Sequence, residues 1–92
     1  MSTLNQETVV QNITRTGEID GANVRLNFSR ENEKTVQITV NADKAAENGM
    51  VNVYLDWRAA NRHLTIGVNN FDLDDLPMEL IEKLLAEMQA VK

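Results

Sequence analysis

The spacing of apolar residues changes period once along this chain, and that change limits the folds open to it. Val24, Leu26 and Phe28 alternate with Asn23, Arg25, Asn27 and Ser29. The same alternation runs through Val36, Ile38 and Val40, through Val51, Val53, Leu55 and Trp57, and through Leu64, Ile66 and Val68. A period of two places every second side chain on one face of a strand. Beyond Asp72 the period lengthens: Leu80, Ile81, Leu84, Leu85, Met88 and Val91 share one side of a helix of about 15 residues, ~22 Å long. The pattern predicts an α+β fold, a four- or five-stranded antiparallel β-meander with one C-terminal α-helix packed on its apolar face. Ninety-two residues suit a single small globular domain over 1–92.

One hairpin can be registered from sequence. A four-residue turn, Ala59-Ala60-Asn61-Arg62, pairs Arg58 with His63 and sets Trp57, Leu55 and Val53 opposite Leu64, Ile66 and Val68 on one face. The same register places Tyr54 opposite Gly67 on the other face, where an aromatic ring can cover bare backbone. Asp20-Gly21 signals a tight hairpin and a first strand near 13–19, with Arg15 opposite Leu26 as the inward charge of an edge strand. Residues 1–12 are expected to be frayed or a short helix including Val9 and Val10, and Asp43 to Glu47 a helical turn closed by Gly49. At the last helix, Leu76 is expected as the cap and Pro77 as the first helical residue, with Asp74 and Asp75 favouring the amino-terminal end of the dipole and Glu79 paired with Lys83.

Charge is segregated. From Asp72 to Glu87 six acids (Asp72, Asp74, Asp75, Glu79, Glu82, Glu87) face one Lys83, a net −5, while the other eight acids are balanced by eight bases. Phosphate-backbone binding relies on clustered Lys and Arg, so nucleic acid is not an expected partner. There is no cysteine, the first ten residues lack the pattern of a secretory signal, and no stretch has the length of a membrane span. A cytoplasmic location, away from membranes, is expected.

The residues that could carry chemistry fall short of a site. His63 is the only histidine, which excludes a His-rich zinc centre. Asp56 and Thr65 share its sheet face, but no glycine-rich elbow or oxyanion loop accompanies them. A calcium loop starting at Asp72 would need glycine at 77 and glutamate at 83, where Pro77 and Lys83 stand; a start at Asn70 meets Asp75 and Ile81 instead. Helix capping explains these aspartates better. No metal and no cofactor are expected, and no enzyme. Arg58, Arg62 and His63 cluster at one hairpin tip, and Trp57 beside them points to the core rather than to a stacked base.

A single helix ~10 Å wide covers two or three strands spaced about 4.8 Å apart, so further strands leave apolar area near one edge. A second copy of the chain is one expected cover, giving a homodimer. The expected function is a non-enzymatic protein–protein interaction module (adaptor, inhibitor or small subunit). The acidic residues Asp72, Asp74, Asp75, Glu82 and Glu87 would meet a partner with a basic surface, and the polar sheet face and basic tip would form a second contact. The alternative is a small polar-ligand binder using the outer face around Tyr54.

Overall fold

The computed structural model describes residues 7–47 and 49–92. They form a five-stranded antiparallel sheet in the order β1-β2-β3-β4-β5, built from β1 (Val10–Ile19), β2 (Ala22–Glu31), β3 (Lys34–Ala46), β4 (Gly49–Arg58) and β5 (His63–Asn69), followed by helix α1 (Met78–Val91). Every strand pairs with its sequence neighbour, as the meander requires. Asp20 and Gly21, both at positive φ (51° and 79°), make the two-residue turn whose twist matches the strands it joins. The β4–β5 register is the one the sequence specifies, from Arg58↔His63 through Val53↔Val68.

Apolar rows cross the sheet beneath the helix. Phe28, Ile38, Trp57 and Leu64 form one; Leu26, Val40, Leu55 and Ile66 the next; Val24, Ala42, Val53 and Val68 the third. Leu80, Ile81, Leu84, Met88 and Val91 close over them, all buried, with Leu85 half-buried at the side. Burial of a side chain of this size contributes about 1.5–3 kcal/mol, so the helix stripe and the rows hold each other in place. The last turn of α1 is tied to the start of β3, where the Thr35 hydroxyl donates to the Val91 carbonyl at 3.2 Å. Lys83 ties the helix to the β1–β2 turn through Asp20, Nζ to Oδ1 2.7 Å.

Four local expectations are corrected. Asp43 to Ala46 continue β3 instead of forming a helical turn, because Asn52 to Gly49 pair with them and extend the ladder. Val10, Gln11 and Asn12 are strand residues paired with Glu31, Arg30 and Ser29, not helix; the expectation for residues 1–6 lies outside the described residues. Pro77 is the N-cap (φ −77°, ψ 65°) and Met78 the first helical residue, one step later than expected. The Lys83 amine goes to Asp20 rather than to Glu79, whose charge acts only from a distance.

One feature has no sequence signal. Between Ser29 and Arg30 the β2–β3 register shifts, so that Ser29 pairs with Gln37 but Arg30 with Thr35, leaving Val36 as a bulge. The extra residue turns Thr35 towards the helix, which is how its hydroxyl reaches Val91. Arg30, two residues beyond Phe28 on β2, shares its face by alternation, and the guanidinium carbons of Arg15 and Arg30 lie 5.4 and 5.0 Å from that ring's centre. The inward Arg15 is thereby accommodated as a cation over an aromatic face.

Candidate functional site

Opposite the helix the sheet shows water a polar face. Cross-strand pairs there are joined by side chains: Thr14 donates to Asn27 (2.7 Å), Ser29 to Asn12 (2.8 Å) and Asn52 to Asp43 (2.7 Å). At its centre Asp56 is 9% exposed, the one buried charged residue among those described. Its carboxylate accepts from Gln37 Nε2 and from Arg58 Nε, each at 3.3 Å, which offsets the loss of water around it. The carboxylate is therefore engaged by Gln37 and Arg58, while His63 Nδ1 lies 3.4 Å from the Thr65 hydroxyl at the exposed strand end. Asp56 and His63 are not brought together as a catalytic pair would be.

Tyr54 is half-buried on this face beside Asn41 and Gly67. The register is as expected, but the ring does not cover the glycine: a Cβ placed on Gly67 meets nothing within 4 Å. Open space stands over the Gly67 backbone next to the phenol.

The two charged clusters occupy opposite ends of the sheet. Arg58, Arg62 and His63 are exposed at the β4–β5 turn, where Arg62 (φ 50°) closes the loop by donating to the Ala59 carbonyl at 3.2 Å. Asp72, Asp74 and Asp75 are exposed on the connection that leaves the other end of β5. Expected as helix caps, they make no side-chain cap; Leu73–Asp75 form a separate 3₁₀ turn closed by the Asp75 amide on the Asp72 carbonyl at 2.8 Å. Pro77 and Leu76 intervene between that turn and α1, which keeps the carboxylates from its first amides. Glu79, Glu82 and Glu87 are exposed along the helix. Within this acidic stretch the single base, Lys83, is engaged with Asp20, and that hydrogen bond holds its amine above the usual lysine pKa. Among the described residues no group of three or more His, Cys, Asp or Glu is placed to hold a metal ion.

The helix leaves one apolar flank uncovered. Leu64 and Ile66 on the helix side of β5 are 39% and 46% exposed, although they end rows whose members on β2 and β3 are almost fully buried. Between this flank and the helix runs a shallow groove walled by Ile38, Trp57, Leu64, Leu85 and Met88. Trp57 thus faces the helix side, as its register required. The width of a helix against five strands foretold such an area but not which edge would carry it.

No described helix is long and apolar enough to cross a membrane. Comparison of the chain with models of protein families, with curated proteins and with solved structures finds no match.

Proposed function

We propose that this chain is a non-enzymatic, cytoplasmic interaction module, an adaptor, inhibitor or small subunit, that docks a basic protein surface through its acidic connection and helix. The observation that carries this reading is the exposure of all six acids between Asp72 and Glu87, while the only base among them is committed to Asp20. Charge gathered on one element steers association more than it adds to final affinity. Replacing Asp72, Asp74, Glu82 and Glu87 with Asn or Gln should slow binding to a basic partner about tenfold at low salt and change dissociation less. Added salt should slow the unmodified chain towards the variant. Association rates indifferent to both changes would remove the acidic surface from the mechanism. A second reading, a shelf for a small polar ligand, is favoured by the open space over Gly67 beside Tyr54. Shifts of the Tyr54 and Gly67 amide signals during titration with a panel of polar metabolites would select it.

A further inference from the structure

We infer that β5 is the seam of a twofold homodimer, in which the β5 strands of two copies pair antiparallel about Ile66 and join their sheets into one of ten strands. Among the described residues β5 pairs only with β4, and its outer side is a bare strand edge. Natural edge strands are guarded by charge, proline, bulges or a covering element. The run His63-Leu64-Thr65-Ile66-Gly67-Val68-Asn69 has no Lys, Arg, Asp, Glu or Pro, and its pairing with β4 is without a bulge.

A centre at Ile66 satisfies both faces. It sets Leu64 opposite the partner's Val68, and Ile66 opposite the partner's Ile66, on the helix side, where Leu64 and Ile66 are exposed in the single chain. On the other side it sets Thr65 opposite the partner's Gly67 and His63 opposite the partner's Asn69, joining polar face to polar face. A slip by one residue would set Ile66 opposite the partner's Gly67 and Thr65 opposite the partner's Val68, joining apolar face to polar face.

Charge identifies the occupant as a second copy rather than another strand. The two ends of β5 carry opposite signs: Arg58 and Arg62 at its start, and Asp72, Asp74 and Asp75 just past its end. Antiparallel pairing lays the basic tip of each copy beside the aspartates of the other, and twofold symmetry makes the match twice. A parallel arrangement would set base against base and acid against acid. The dimer goes beyond the acidic docking surface proposed above, because Glu79, Glu82 and Glu87 remain on the helices, outside the seam.

Sedimentation equilibrium of the purified chain from micromolar to millimolar concentration tests the inference without any other protein. The unmodified chain should sediment as a dimer that weakens with added salt. Ile66→Lys, which places like charges face to face on the axis, should weaken it by about a hundredfold while the far-ultraviolet spectrum stays unchanged. Arg62→Glu and Asp72→Lys should each weaken it by about tenfold, and the two together should return it to within about threefold of the unmodified chain, since each new glutamate then faces a new lysine. That rescue needs no core residue altered, so it decides the matter even if Ile66→Lys fails to fold. A monomer at millimolar concentration, or a dimer untouched by Ile66→Lys, overturns the seam. Additive losses in the double variant overturn the antiparallel register. Failure to bind a basic partner leaves these readouts unaffected.

Discussion

β1 and β5 end the same sheet; the row of Phe28, Ile38 and Trp57 ends in an apolar residue on both, Ile13 and Leu64, but the other two rows end in opposite ways. The row of Leu26, Val40 and Leu55 ends in Arg15 on β1 and in Ile66 on β5. The row of Val24, Ala42 and Val53 ends in Gly17 on one side and Val68 on the other. On β1 the charge is kept without waste, because its guanidinium rests over Phe28. On β5 apolar side chains stand in water beside a helix that does not reach them. The difference teaches that an edge is specified by the residues with which its rows end, not by its place in the topology. One edge carries an inward charge, and the other carries exposed apolar side chains.

The largest test of this comparison acts on the core both edges share. Leu84→Asp should abolish cooperative unfolding, since a carboxylate would be buried where Leu84 is 0% exposed, whereas Glu82→Ala on the outward side should move stability by less than ~0.5 kcal/mol. Urea melts of the two variants would expose an error in the helix face if their midpoints agreed. Next in size, Arg15→Val should make β1 resemble β5, and light scattering should then rise steeply with concentration. Scattering equal to that of the unmodified chain would show that something other than Arg15 guards the edge.

A smaller effect is expected beside β1 at the Asn32-Glu33 turn, where Glu33 is held at φ 71°, a region that disfavours side chains with a Cβ. Glu33→Gly should stabilise the chain by about 0.5–1 kcal/mol, read as a higher urea midpoint, because relief of strain outweighs the added freedom of the unfolded chain. The smallest effect is that of Lys83. Its amine is held above the usual pKa by Asp20, so the tie between helix and β1–β2 turn is fully present below the ordinary lysine range and is lost as pH rises through the raised value. An alkaline melt series should show a slight loss in the unmodified chain beyond about pH 10.4 that is absent in Lys83→Met.

Much of the fold was legible because period and turn chemistry are local. The β4–β5 register follows from alternation on both faces at once, and the helix stripe from Leu80 to Val91 is repeated in the burial of the structure. What escaped the sequence depends on distant residues. The bulge at Val36 is set by how β2 and β3 meet, and a continuous alternation through Val36, Ile38 and Val40 conceals it. The 3₁₀ turn at Leu73–Asp75 is bounded by geometry at Leu76 and Pro77 that makes the aspartates look like caps in one dimension. Of the candidate residues, register alone pairs Arg58 with His63 beside the β4–β5 turn. The exposure of Leu64 and Ile66 needed the helix to be positioned, since their alternation is the same as that of buried strands.

The helix is made after all five strands. Each hairpin of the meander closes between neighbours, but the bond from Thr35 to Val91 spans 56 residues and that from Lys83 to Asp20 spans 63. As the chain emerges from the ribosome at roughly 5–20 residues per second, the sheet can zip strand by strand while its apolar rows have no lid. For some seconds Phe28, Ile38, Val40 and Leu55 face water together. A nascent chain stalled before Met78 should therefore be a strong substrate for holdase chaperones, and should lose that character once Leu84 and Met88 have left the exit tunnel.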